Sequence, residues 1–132
     1  MVNIQFEFFF KVLQVLKITD GDTVKLEIDQ GFGNRKVTNI RMMGYDAPET
    51  YRPINEIERE AGYKVKEFLM QLVMDHVNNL FVWTEKADKY GDRWDGYLFY
   101  KDQTGQLQEI NEQVQTFMET EHLTKDEVRN AR

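Results

Sequence analysis

The first third of the chain consists of short apolar runs separated by turn-forming residues. Residues 6–18 (FEFFFKVLQVLKI), 23–28 (TVKLEI) and 37–44 (VTNIRMMG) are these runs. TVKLEI alternates between apolar and polar residues with a period of two, which is typical of a half-buried strand. The glycine-containing stretch 29–36 (DQGFGNRK) predicts a hairpin loop. We therefore expect three consecutive strands that form a meander.

The period changes after residue 55 of the chain. Between Asn55 and Asp75, apolar residues recur at spacings of three and four, which is the pattern of one helical face. The predicted apolar stripe consists of Ile57, Ala61, Val65, Phe68, Leu69, Leu72 and Val73. The charged residues between them, Glu58 included, are predicted to lie off that stripe. This segment is expected to be an ordinary amphipathic helix.

Two more strands and a second helix follow the first helix. Strands are predicted at 78–86 (NNLFVWTEK) and 97–102 (YLFYKD), with a turn at 87–96 (ADKYGDRWDG) between them. The segment 107–123 (LQEINEQVQTFMETEHL) has helical periodicity. The remaining residues predict a short helical tail, with Thr124 as a candidate N-cap.

This order of elements predicts an α+β fold that is mainly β. Five short strands, with a helix between the third and fourth, suit a closed five-stranded barrel of the oligonucleotide-binding (OB) type. One or two C-terminal helices complete it. Barrel closure removes the exposed edges that apolar strands otherwise present. Since the chain has 132 residues and no repeat, a single domain over residues 1–132 is expected.

Composition excludes several kinds of chemistry. The chain contains no cysteine and no serine, so disulfides, thiolate metal sites and serine or cysteine nucleophiles are absent. The formal net charge is −6, which disfavours broad electrostatic capture of nucleic acid. Chemistry on a phosphate group therefore requires a local basic site.

The apolar runs of the sequence are too short to span a membrane. The N-terminus lacks the basic, apolar and small-residue layout of a signal peptide. We expect a cytoplasmic monomer without a membrane partner, and secretion from a longer precursor stays open.

Acidic residues stand at two places that a meander brings together. Asp20 and Asp22 flank the turn between the first two strands, and Asp46 and Glu49 follow the third strand. The start of the second strand and the end of the third lie at the same end of the sheet, so these carboxylates are expected to converge. Hard oxygen ligands favour calcium or magnesium. Such an ion would hold a phosphate oxygen and leave Glu49 free to act on water.

Two arginines are predicted to face the same place. Arg41 lies inside the third apolar run, and Arg93 precedes the fifth strand. Paired guanidinium groups clamp a phosphodiester and stabilise the charge of its transition state. Together with a metal ion and a base they describe phosphodiester hydrolysis.

Each of these features also has an ordinary structural explanation. The sequence DGD is usually a turn, and DAPE is usually a loop or the start of a helix. An arginine in a strand is most often a surface residue, and Arg93 has Asp92 and Asp95 as alternative partners. A purely structural interpretation, in which the acids complete a charge network at the barrel end, therefore stays open.

Several motifs resemble those of the staphylococcal nuclease (thermonuclease) family. They are DGDTVKL at 20–26, IRMMGYDAPET at 40–50, REAG at 59–62, DKYGDRW at 88–94 and, more weakly, INE at 110–112. They follow the order of the family. The resemblance implies an OB barrel and calcium-dependent cleavage of DNA and RNA, preferably single-stranded, that leaves 3′-phosphates.

The resemblance also implies roles for individual residues. Asp22 and Asp46 would be the calcium carboxylates, with the Ala47 carbonyl as a third ligand and Asp20 beside them. Glu49 would be the general base or would orient the water. The remaining roles fall to Arg41 and Arg93 at the phosphate and to Lys89 and Tyr90 near the nucleotide.

Three departures from the family pattern support a different interpretation. The turn reads Tyr90-Gly91-Asp92-Arg93, one residue longer than usual, so either Arg93, counted back from Tyr97, or Asp92 takes the arginine position. The nucleotide-stacking tyrosines of the best-known member have no counterpart after Asn111, and the chain is acidic. The alternative is a catalytically weak or inactive OB module that binds nucleic acid or a protein partner.

Overall fold

The computed structural model describes residues 8–87 and 93–131. A closed mixed barrel of five strands, with a short sixth strand, carries one helix after the third strand and two C-terminal helices, which confirms the predicted OB-type α+β fold. The strands are β1 (Phe9–Asp20), β2 (Thr23–Gly31), β3 (Asn34–Met42), β4 (Leu80–Ala87), β5 (Arg93–Lys101) and β6 (Leu107–Glu109). The helices are α1 (Glu56–Asp75), α2 (Ile110–Thr120) and α3 (Lys125–Arg129).

A parallel pairing closes the barrel. The sheet order is β3-β2-β1-β4-β5-β6, and β3 also pairs with β5. In that pair Asn39 stands opposite Arg93 and Met42 opposite Gly96. The other pairs are antiparallel. Because β3 finds a second partner over residues 39–42, this part of the strand has no open edge.

The β2–β3 hairpin confirms the meander but turns more tightly than predicted. Gly31 pairs with Asn34, so only two residues form the turn. Phe32 and Gly33 both have positive φ, 55° and 79°. This is the backbone of a type I′ turn, which matches the twist of the two strands. Most of the predicted loop 29–36 therefore belongs to the strands.

Helix α1 packs its apolar face on the barrel with a phase that differs from the predicted one. Ala61, Val65, Leu69 and Val73 are buried, as predicted. Ile57, however, is 45% exposed, and the fully buried residue of the first turn is Glu58. The predictions for these two residues are wrong because Glu58 has hydrogen-bond and charged partners, described below, that offset the cost of its burial. In the described part of the chain, every helix lacks the length or the apolar character needed to cross a membrane.

Two segments were assigned to the wrong element from the sequence. Residues 107–109, predicted as the start of a helix, form β6 and pair with the free edge of β5. Residues 93–96, predicted as part of a turn, belong to β5 and pair with β3. In both cases pairing with another strand outweighs local preference, in a short hairpin for β6 and with the distant β3 for residues 93–96.

Asn111 joins α2 to the closure of the barrel. Its side chain is buried, and its Oδ1 accepts the backbone N–H of Leu98 at 2.9 Å. Its Nδ2 donates to the carbonyl oxygens of Met43 at 2.8 Å and Gly96 at 3.1 Å. One amide therefore satisfies three backbone groups where β3 and β5 meet.

We expect Asn111→Ala to lower the free energy of unfolding by about 2–4 kcal/mol, because the Leu98 N–H and the Met43 carbonyl lose the Asn111 amide, while the Gly96 carbonyl keeps only the Met43 N–H. Urea denaturation followed by circular dichroism measures this change. Gln115→Ala, which removes an exposed amide from the same helix, is the control and should stay within about 0.5 kcal/mol. Equal stability of the two variants would contradict the role of Asn111.

Candidate functional site

Three segments of the chain meet at one end of the barrel. They are the turn between β1 and β2, the loop at 43–55 after β3, and helix α3. The backbone N–H of Met42 donates to the carbonyl of Asp22 at 2.8 Å, and Thr23 pairs with Arg41 across the strands. The end of β3 is thereby held beside the turn, as the meander predicts.

Asp22 is a nearly buried carboxylate, with 8% of the residue exposed. Its Oδ2 accepts the backbone N–H of Ala47 at 3.1 Å, and its Oδ1 accepts the hydroxyl of Thr23 at 3.2 Å. Burial raises the pKa of Asp22 above its ordinary value. The Ala47 N–H and Arg41 oppose this shift, whereas the carboxylate of Asp46 adds to it. The carboxylate of Asp46 therefore lies close to that of Asp22.

Arg41 lies on the outer face of β3, because it alternates with the buried residues Ile40 and Met42. Its Nη2 is 3.4 Å from Oδ1 of Asp46. The Asp46 side chain is 52% exposed, and an ion pair of this kind contributes at most about 1 kcal/mol. The Arg41 pair therefore leaves Asp46 able to bind a second cation, and Lys125, described below, takes that place.

Arg93 is the first residue of β5 and shares a face with Arg41. Arg41 stands opposite Asp95, two residues after Arg93 in the parallel pair. The two arginine Cα atoms are therefore roughly 8 Å apart, given ordinary strand spacings. Lys89, Tyr90 and Asp92, to which nucleotide contacts and the alternative register were assigned, lie outside the described residues.

Asp20 ends β1 and links the turn to the loop after β3. Its Oδ1 accepts a hydrogen bond from the hydroxyl of Thr50. The residue thus lies beside the predicted metal carboxylates, with one oxygen engaged in holding the loop that carries Asp46 and Glu49.

The buried carboxylate of Glu58 shapes that loop. Its Oε1 accepts the N–H of Ile54 at 2.8 Å and its Oε2 accepts the N–H of Glu49 at 3.1 Å. Nε of Arg129, on α3, lies 2.9 Å from the same Oε2. Burial opposes ionisation of Glu58, but these hydrogen bonds and the charge of Arg129 outweigh it and hold the pKa below its ordinary value. From the sequence, Glu58 is predicted only to be an acidic residue in the first turn of a helix, where negative charge is favourable.

Two glycines allow α1 to approach the site closely. A Cβ on Gly21, between Asp20 and Asp22, would lie 2.6 Å from Cγ1 of Val65. A Cβ on Gly62 would lie 2.8 Å from the carbonyl oxygen of Pro48 and 2.8 Å from Cγ2 of Thr50. Both positions exclude larger side chains because helix, turn and loop are in direct contact there.

Lys125 is a member of the cluster that the sequence did not indicate. Its Nζ lies 3.2 Å from Oδ2 of Asp46 and 3.2 Å from Oε1 of Glu49. Partial burial opposes its charge, but the two carboxylates raise the pKa of Lys125 above its ordinary value. The sequence does place it correctly at the start of α3, since the side chain of Thr124 accepts the N–H of Glu127 and confirms the predicted N-cap.

The donor atoms at this end suit a hard divalent cation in their chemistry. Within residues 8–87 and 93–131, no group of three or more His, Cys, Asp or Glu side chains is arranged to hold a metal ion. Asp22 and Asp46 nevertheless present two neighbouring carboxylates, and the backbone of Ala47 lies against that of Asp22. Calcium takes six to eight oxygen ligands. Most of them would come from the main chain, water and substrate.

The cluster lies at an open surface and outside the cleft that α1 and α2 form. That cleft, of about 710 Å³, lies between α1 and α2 and is lined in part by Phe68, Met74 and Phe117. It contains none of the predicted site residues. An open site suits a polymer better than an enclosed small molecule.

Comparisons with known proteins do not assign the chain to a family. No family model matches it, and no curated protein matches it. The resemblance to the thermonuclease family therefore rests on the sequence motifs alone.

We expect Glu58→Gln to lower the free energy of unfolding by about 2–4 kcal/mol at neutral pH. The amide leaves one of its backbone N–H partners without an acceptor and Arg129 without a counter-charge. The pKa of Glu58 is lower in the folded protein than its ordinary value of 4.5, so the ionised carboxylate stabilises the fold at pH values above 4.5. This contribution is lost as the pH falls below 4.5. The variant should therefore lose less stability on acidification than the wild type.

Urea denaturation at neutral pH and at about pH 3.5 measures both effects of Glu58→Gln. Glu60→Gln, at an exposed position of the same helix, is the control. Parallel pH curves for the wild type and Glu58→Gln would contradict the assigned role.

Gly62→Ala separates helix propensity from packing. Alanine favours a helix over glycine by about 1 kcal/mol, but the new Cβ would overlap Pro48 and Thr50. We expect a net loss of about 1–3 kcal/mol in the free energy of unfolding. Lys64→Ala, on the exposed side of α1, should be nearly neutral. A Gly62→Ala variant that is more stable than the wild type would disprove the close contact.

Proposed function

We propose that this chain is a calcium-dependent nuclease that hydrolyses phosphodiester bonds of DNA and RNA and leaves 3′-phosphates. It would be a metal-dependent phosphodiesterase of the thermonuclease type, with single-stranded substrates preferred. The observation that carries the proposal is the pair of neighbouring carboxylates, Asp22 and Asp46, next to Arg41. A buried carboxylate beside a second one destabilises the folded protein, but the pair supplies oxygen ligands to a cation.

The arginines supply the local basic site that an acidic protein needs for phosphate. Arg41 and Arg93 share one face of neighbouring strands. Their guanidinium groups would bind the non-bridging oxygens of one phosphodiester. Since the negative charge on those oxygens grows in the transition state, the arginines would stabilise it more than the ground state.

Glu49 would act on the nucleophile, which is a water molecule. Its side chain is 36% exposed, and its backbone is held by Glu58. The carboxylate would orient a water molecule and accept a proton from it as the water oxygen attacks phosphorus. The bond from phosphorus to the 5′ oxygen then breaks, and the leaving oxygen takes a proton from solvent. Bound calcium, held by Asp22, Asp46 and the Ala47 carbonyl, would polarise the phosphate.

A second function is favoured by one specific observation. Lys125 already neutralises part of the charge of both Asp46 and Glu49. A module whose acids are satisfied internally would bind nucleic acid or a protein partner without cleaving. Binding of labelled single-stranded DNA in the presence of chelator, without turnover, distinguishes this function from the nuclease.

We expect the purified protein to cleave single-stranded DNA in calcium and not in chelator. Asp22→Ala and Arg93→Ala should each reduce the rate by at least about 100-fold, because each removes charge stabilisation from the transition state. Gel electrophoresis of an end-labelled oligonucleotide measures cleavage, and phosphatase sensitivity of the new end identifies a 3′-phosphate.

Asp75→Ala is the matched control for this experiment. Asp75 is an exposed aspartate at the end of α1, away from the loop and the β1–β2 turn. Its removal should leave the cleavage rate within about twofold. Cleavage that persists in both Asp22→Ala and Arg93→Ala would show that the site assignment is wrong, and DNA binding without cleavage would favour the second function.

A further inference from the structure

Lys125 takes the place of a counter-ion in the acidic cluster. We propose that its ammonium group competes with the divalent cation for Asp46 and thereby sets the calcium affinity of the site. This inference rests on the calcium site of the proposed function. It assigns to the C-terminal helix a role that none of the quoted motifs contains.

The contacts of Lys125 are those of a built-in cation. Nζ lies at equal distances, 3.2 Å, from one oxygen of Asp46 and one of Glu49. Only 18% of the Lys125 side chain is exposed, against 52% of that of Asp46. A lysine ammonium is a compact point charge with three donors, so it satisfies carboxylate oxygens much as a hard metal ion does.

Residues before and after Lys125 in the sequence fix the position of α3 at the barrel end. Val128 is buried, and its carbonyl accepts Nδ2 of Asn55 at 3.4 Å. Arg129 pairs with the buried Glu58, and the N-cap at Thr124 fixes the start of α3. Lys125 is therefore delivered to the acids by a docked helix and does not reach them as a random surface side chain.

Anchoring of α3 also defines how calcium would gain access. Because the helix is held by Val128 and Arg129, the four-carbon stem of Lys125 is the part that has to move. Its rotation into solvent breaks two ion pairs and leaves the loop and α3 in place. Calcium binding and the Lys125 ion pairs thus exclude each other at Asp46. The measured free energy of calcium binding is therefore that of the metal contacts minus that of the Lys125 ion pairs.

The experiment is calcium titration by isothermal calorimetry of the wild type, Lys125→Met and Lys36→Met. Methionine keeps the length of the stem and removes the charge. Lys36 is exposed near the hairpin turn, roughly 17 Å along β3 from Arg41, so its variant carries the same change in net charge at the far end of the strand. We expect Lys125→Met to bind calcium about tenfold more tightly, since two ion pairs no longer have to be broken. Lys36→Met should stay within about twofold.

Thermal unfolding with calcium and with chelator provides a second readout. Without calcium, Lys125→Met leaves Asp46 and Glu49 without their shared cation, so its melting temperature should fall below that of the wild type. With calcium, the rise in melting temperature should be larger in the variant, because tighter binding to the folded state stabilises it more. Lys125→Gln, which keeps a polar end group, replaces the methionine variant if that variant does not fold.

The outcomes separate this inference from the proposed function. Tighter binding in the Lys125 variants alone supports the competition. Equal calcium affinity in all three proteins overturns the competition and leaves the calcium site in place. Weaker binding in the Lys125 variants also overturns it, because Lys125 would then support the site. Absence of calcium binding in every protein overturns the calcium site and the competition together.

Discussion

A single buried carboxylate joins the helix, the loop and the C-terminal segment at one end of this barrel. Glu58 lies in the first turn of α1, fully buried, and binds two backbone N–H groups of the loop and the guanidinium group of Arg129. A buried charge without partners costs several kcal/mol. The need to satisfy the buried charge of Glu58 therefore holds each of these partners in place. The positions of the functional side chains depend on this charge.

The loop and α3 transmit this constraint to the candidate site. The N–H of Glu49 is one partner of Glu58, and Arg129 lies one turn beyond Lys125 on the same short helix. The position of the acid that would act on water and the position of the lysine that pairs with it therefore share one support. Gly21 and Gly62 complete the arrangement, since they let the turn and the helix touch the loop.

Charge at this end of the protein is balanced internally. Asp46 contacts both Arg41 and Lys125, while the Asp22 carboxylate accepts the Ala47 N–H and the Thr23 hydroxyl. A site of this kind differs from an open set of carboxylates, because an incoming cation has to replace existing partners. Its affinity then depends on the side chains that leave as well as on those that bind. For an acidic protein, the same balance also limits repulsion of a phosphate backbone.

The sequence by itself determined the elements whose burial follows a simple period. Alternation in β2 and spacings of three and four in α1 predict their type, and the order of elements predicts the barrel. The meander also predicts that Asp22, Arg41 and Asp46 meet, since hairpin geometry is local. Tertiary structure alone decided the rest. Residues 107–109 became a strand because β5 offered an edge, and Glu58 became buried because loop and helix groups satisfied it. Lys125 contacts the acids because α3 docks at this end of the barrel, although Lys125 lies 76 positions after Glu49 in the chain. Contacts over such separations depend on packing energies that no local pattern encodes.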